Sequence, residues 1–92
     1  MKVRFFAAAA AAAGVEEQLI ELGVDESTPF TLRDLSVLLA SSFPVSASKG
    51  TPPLPELLTR CSFLLNEVAQ RDLATTLGEG DVVDVLPPFA GG

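Results

Sequence analysis

The stretch that most constrains this chain is one amphipathic helix written near its middle, over residues 31–43. Thr31 stands where an N-cap belongs. Asp34, three residues on, can complete a capping box, although Glu or Gln is more usual there, and Phe30 can staple against Leu35. Leu32, Leu35, Leu38, Leu39 and Phe43 then recur at helical spacing and form a single apolar stripe. Pro44 ends the pattern. A striped helix has to cover a hydrophobic surface, and a chain of 92 residues has room for one core.

Both ends of the chain supply strands for that helix to cover. Lys2-Val3-Arg4-Phe5-Phe6 alternates Val3 and Phe5 against Arg4 and Phe6, the period of a half-buried strand. Asp81-Val82-Val83-Asp84-Val85-Leu86 is rich in β-branched residues. Between the first strand and the helix, residues 7–13 are all alanine, which predicts a short helix that must lean on the rest of the fold. Gly14 is placed to stop it in the left-handed conformation. Residues 15–24 fit either a half-exposed edge strand or another helical turn; a hairpin-like return beside the first strand is the preferred reading. Residues 25–29 have turn chemistry.

After the helix, residues 45–55 form a proline-rich loop by composition, and residues 55–60 are expected to make one helical turn with Leu57 and Leu58 inward. Cys61-Ser62-Phe63-Leu64-Leu65 reads as a buried strand. Asn66-Glu67 is a plausible tight turn, since Asn tolerates positive φ, and Val68-Ala69-Gln70 returns as a short strand. Residues 71–81 are turn-rich. Strand, return strand, helix, two short strands and a final strand is the element order of a β-grasp. The expected class is α+β, with a mixed sheet packed on one main helix. The first and last strands lie parallel at its centre, since the chain between them supplies the long crossover that parallel pairing needs. Residues 1–86 are read as the β-grasp domain and residues 87–92 as an extended tail.

Charge and composition exclude several function classes. A formal charge of −6, with six scattered basic residues, argues against nucleic acid, which needs clustered Lys and Arg. An acidic surface suits a protein partner with a basic docking face. There is no His, so imidazole-based zinc sites and Ser-His-Asp or Cys-His catalysis are out. No phosphate-binding glycine loop of the Walker or dinucleotide type is present. The single Cys61 cannot pair within the chain, which suits a reducing, cytoplasmic setting. It reads as a small hydrophobe at the start of a strand more than as a nucleophile. Asp72, Glu79, Asp81 and Asp84 lie in turns or alternate along a strand, and are expected on a solvated face. The N-terminal run, basic at Lys2 and Arg4 and then apolar, has the layout of a signal peptide. It is too short to span a membrane, and removing it would take away the first strand.

What is left is the terminus, Pro87-Pro88-Phe89-Ala90-Gly91-Gly92. Two prolines cannot join a sheet ladder and hold the backbone extended, and two glycines end the chain without side chains. Fully extended, such a tail reaches about 20 Å, enough to carry a carboxylate into another protein. A frayed end is the plain alternative.

Taken together, Lys-Val-Arg-Phe-Phe-Ala at the start, Gly14, Thr31-Leu32-Arg33-Asp34-Leu35, Asn66-Glu67, Gly80-Asp81-Val82-Val83 and the Pro-Pro-Phe-Ala-Gly-Gly end resemble the ubiquitin-like sulfur carriers of the MoaD/ThiS superfamily. Within them the match is to the MoaD family, small subunits of molybdopterin synthase. It covers nearly the whole chain. Two departures are a featureless first helix, with Ala10 where relatives often carry a charge, and a longer loop over residues 45–55.

The resemblance implies that a MoeB-like partner enzyme uses ATP to adenylate Gly92. A sulfurtransferase then leaves a C-terminal thiocarboxylate, with no cofactor bound by this chain. A MoaE-like large subunit would accept the tail and pass the sulfur to a cyclic pyranopterin, forming molybdopterin. Gly91 and Gly92 would thread the partners' pockets together with Ala90, Pro88 and Pro87, and Phe89 would set the depth of entry. Phe6 and Leu86, on the central strands, would add an apolar docking patch, or would be ordinary core. Other readings stay open at this point: a carrier for thiamine, cysteine or tRNA thiolation, a ubiquitin-like protein modifier, or an interaction module whose tail is incidental.

Overall fold

The computed structural model describes residues 1–22 and 28–88. Strand β1 (Lys2–Phe5) leads into a short helix α1 (Ala8–Ala13) and a return strand β2 (Glu17–Leu19). The main helix α2 (Leu32–Ser42) is followed by α3 (Leu54–Leu58), then by β3 (Ser62–Leu65), β4 (Val68–Gln70) and β5 (Val82–Leu86). The five strands form one sheet in the order β2-β1-β5-β3-β4. β1 and β5 pair in parallel, while β1 with β2, β3 with β4 and β3 with β5 are antiparallel. The expected mixed β-grasp sheet is therefore present, with the chain's first and last strands side by side at its centre.

Local chemistry explains the elements. Thr31 Oγ1 accepts from the Asp34 amide at 3.2 Å while Asp34 Oδ2 accepts from the Thr31 amide at 2.9 Å, so the imperfect capping box closes in both directions. The next two amides of α2 are also satisfied, Leu32 N donating to Thr75 O and Arg33 N to Leu73 O. The turn-rich stretch before β5 thus holds the start of the helix. At the end of α1, Gly14 has φ of 78° and donates its amide to Ala10 O. A Cβ there would come within 2.9 Å of the Ala47 Cβ, so both conformation and space call for glycine. Residues 15–24 resolve as a return strand as far as Leu19. The turn expected over residues 25–29 falls mostly outside the described residues.

The helices cover one face of the sheet. Val3, Phe5, Val83 and Val85 from the central strands meet Leu32, Leu35 and Leu39 of α2 and Leu54, Leu57 and Leu58 of α3, all buried. Each fully buried Leu or Val contributes about 1.5–3 kcal/mol. Phe5 also meets Phe43 edge-on, with centroids 5.7 Å apart.

Three expectations need correcting. Leu38 is 36 % exposed, on the rim of the stripe rather than inside it. Cys61 precedes β3 and is half-buried, as are Leu64 and Leu65; of that strand only Phe63 enters the core. The reason is that β3 has helices on one side only: Cys61 and Leu65, on the same face as Phe63, pack at the edge of the core, while Ser62 and Leu64 lie on the uncovered face. The third correction is Asp84, described below.

Candidate functional site

β5 is clasped at both ends. At its start, Asn66 accepts from the Val82 amide through Oδ1 at 2.9 Å and donates through Nδ2 to Asp81 Oδ1 at 3.0 Å. The Asn66 amide donates to Val82 O at 2.8 Å, and Asp81 Oδ2 accepts from the Gly78 amide at 2.7 Å. Bonding to Asn66 and Gly78 holds the Asp81 carboxyl below the usual carboxylate range. Asn66 and Glu67 take φ of 49° and 70°, the expected left-handed turn. The sequence pointed to that backbone but not to the Asn66 side chain as a brace for β5.

At its other end the parallel register continues one residue past β1, with Phe6 N donating to Val85 O at 3.3 Å. Phe6 therefore lies opposite Leu86. Phe6 is 40 % exposed and Leu86 half-buried, so both belong to the sheet face that carries no helix. Pro87 is buried and Pro88 exposed. Phe89, Ala90, Gly91 and Gly92 lie outside the described residues.

That helix-free face contains the pair that sequence reasoning missed. Asp84 was expected on a solvated face; it is 4 % exposed. Arg4 lies directly opposite it in the β1–β5 register and donates from Nε to Oδ1 at 2.5 Å and from Nη2 to Oδ2 at 2.8 Å. This side-on bidentate bond raises the Arg4 pKa further above its ordinary value. The guanidinium carbon also stands 6.0 Å from the centre of the Phe6 ring, within cation–π range. Alternation correctly assigned Asp84 to the outer face, but a period of two says nothing of what covers a residue there. One signal was available: each central strand carries one charge of opposite sign at its middle outward position.

Next to Arg4 is a depression of about 360 Å³ lined by Arg4, Phe6, Ala7, Ala10, Glu16 and Glu17. Ala7, one of the lining residues, stands at the turn from β1 into α1 with φ of 51°, a conformation that costs an alanine about 1–3 kcal/mol. Cys61 precedes Ser62, the β3 partner of Leu86, and burial pushes its thiol up to about 11 against a smaller opposing effect of Arg60. Cys61 is therefore a thiol at neutral pH and a poor nucleophile. Among the described residues no cluster of His, Cys, Asp and Glu is arranged to hold a metal, and no helix is long and apolar enough to cross a membrane.

Comparison with known proteins places these features in context. Residues 3–92 match the model of the ThiS family. The chain is 32% identical to a molybdopterin synthase sulfur carrier subunit from Chlamydomonas reinhardtii, over all of this chain and 98% of that protein. It superposes on a chain from the complex of subunits 1 and 2 of the molybdopterin-converting factor from Helicobacter pylori 26695 with a TM-score of 0.62. The identity is 30%, covering 99% of this chain and 96% of that one. SAMP1 from Haloferax volcanii has the same fold, with a TM-score of 0.71 at 24% identity over 99% of this chain and 97% of that one.

Proposed function

This chain belongs to the ThiS family, and on that premise we propose that it is the sulfur carrier subunit of a molybdopterin synthase. The observation that carries the choice of pathway is the end-to-end similarity to a sulfur carrier subunit of that enzyme. The fold supports it physically. β5 is held by a strand on either side and ends at Leu86, so the six residues after it start from a fixed point.

The reacting atom is the carboxyl carbon of Gly92. A carboxylate is a poor electrophile, so it first attacks the α-phosphorus of ATP on a MoeB-like adenylating enzyme, releasing pyrophosphate and forming an acyl-adenylate. The outer sulfur of a sulfurtransferase persulfide then displaces AMP to give an acyl disulfide, and a second thiol attacks the sulfurtransferase sulfur of that S–S bond, forming a disulfide and releasing the C-terminal thiocarboxylate. In this reading the globule performs no bond chemistry itself. It holds the tail root and docks, through Phe6 and Leu86, on a large subunit that receives Phe89, Ala90, Gly91 and Gly92 and passes the sulfur to a cyclic pyranopterin. Absent side chains on Gly91 and Gly92 let a narrow channel close around the backbone. A single cysteine, with no second one in the chain to form a disulfide, fits a reducing compartment such as the cytoplasm.

Incubating the protein with ATP, an adenylating enzyme and a sulfur donor is expected to raise the intact mass by one sulfur less one oxygen, at Gly92. An unchanged mass would sink the proposal. Removal of Gly91-Gly92 should abolish the shift and pterin sulfuration together while leaving the thermal unfolding curve in place. Higher-mass conjugates that depend on Gly92 would instead indicate a protein modifier.

A further inference from the structure

Among the described residues, each cation on the helix-free face of the sheet is paired, and Glu67 and Glu17 add further negative charge near Arg4. The two cations each have an acid on the neighbouring strand. Arg4 is bidentate to Asp84 of β5, and Lys2 Nζ stands 3.9 Å from Glu17 of β2. Around the first pair are apolar groups on the same side of the sheet, with Phe6 beside the guanidinium, Leu64 opposite Asp84 in the β3–β5 register, and Leu86 two residues along β5. An unpaired arginine in such a place would make covering the face costly, because a bare charge would be stripped of water. Neutralised by Asp84, it can be covered by an apolar partner surface.

The pairing does not use all of the guanidinium. Nε and Nη2 each donate once to Asp84, and no described residue accepts from Nη1. Arg carries five N–H donors, so three remain, on a side chain that is 33 % exposed. Arg4 also lines the depression beside Phe6, together with Glu16 and Glu17. Those two carboxylates would repel a third brought in by a partner. The complementary group is thus an oxygen acceptor without charge, such as a backbone carbonyl or the amide oxygen of Asn or Gln.

We propose that Arg4, held and neutralised by Asp84, is a specificity-determining residue of the docking face. It selects a large subunit that presents an apolar surface carrying one neutral oxygen acceptor to the Arg4 guanidinium. This rests on the functional reading above and sharpens it, because it replaces a basic partner face with a neutral one at this position. Both partners of the pair matter, in different ways. Asp84 removes the net charge, and Arg4 supplies the donors.

The test is titration calorimetry of the full chain with the large subunit, using the unmutated protein, Arg4→Leu, Asp84→Ala and the double variant, each first checked for folding by circular dichroism. Asp84→Ala leaves a bare guanidinium to be desolvated and should weaken binding by about 30-fold or more. The double variant restores neutrality but lacks the donors, so it should recover most of that loss and remain roughly 2- to 10-fold weaker than the unmutated chain. A measurement independent of any variant follows the Arg4 guanidinium N–H resonances, which should shift and become protected from solvent exchange in the complex. Binding by all folded variants as tightly as by the unmutated chain, or Arg4 resonances unchanged in the complex, would overturn the proposal while leaving the sulfur-carrier reading intact. No binding by the unmutated chain, with no thiocarboxylate formed, would overturn both.

Discussion

The two faces of the central strands follow the same alternation and use it differently. Toward the helices, β1 and β5 present Val3, Phe5, Val83 and Val85, all buried in a continuous apolar core. Away from the helices the same strands present Arg4, Phe6, Asp84 and Leu86, a mixture of one ion pair and two partly exposed apolar groups. The covered face is where folding free energy comes from, through area removed from water. The open face contributes less to folding and carries what a partner would read. The comparison teaches that hydrophobic periodicity locates both faces, while the kind of residue between the hydrophobes tells which one the helices leave open.

The largest effect should come from the covered face. Leu35→Ala removes a fully buried side chain and should cost about 2–5 kcal/mol in chemical denaturation, a large part of the total stability of a domain this size. A cost below 1 kcal/mol would mean that the helix side is not the main core. Next comes the root of β5. Asp81→Ala removes the acceptor of two hydrogen bonds in an exposed setting and should cost about 1 kcal/mol near neutral pH. Because the folded Asp81 carboxyl titrates below its unfolded value of about 3.9, its contribution is complete above that pH. It is lost as pH falls through the folded pKa. The stabilities of the two proteins should therefore converge as the pH falls; a gap that stays constant on acidification would assign the cost to something other than ionisation.

Smaller effects test the open side. Ala7→Gly should raise stability by up to about 1 kcal/mol, since glycine relieves the positive φ while losing somewhat more chain entropy on folding. A fall in the melting temperature would contradict a strained Ala7. Leu19→Lys, on β2 opposite Lys2 and 71 % exposed, should change stability by no more than about 0.5 kcal/mol. A loss comparable to that of Leu35→Ala would erase the distinction between the faces.

Much of the architecture was legible because it depends on local rules. The capping box, the alanine helix with its glycine stop, the Asn66-Glu67 turn and the alternation of the terminal strands are each written within a few residues. Their order left few topologies, and parallel pairing of the first and last strands followed from the long crossover between them. The likeness of Gly80-Asp81-Val82-Val83 and of the Pro-Pro-Phe-Ala-Gly-Gly end to the sulfur carriers was also plain in the sequence, and the family is the one the comparisons give. Leu38 was misplaced because a helical stripe has an edge, and its position depends on where the sheet ends.

By itself, the sequence determined which residues start and stop each element, which side of each strand is apolar, and that the chain ends in two glycines. Only the tertiary structure decided that Asp84 is buried and what lies over it. Arg4 and Asp84 are 80 residues apart in the chain, and they meet because parallel pairing sets β1 and β5 in one particular register. A shift of one residue would place Asp84 among the core leucines, and a shift of two would leave it without its arginine. Charge is a property of a residue, but its partner and its contact with water are properties of the packed sheet.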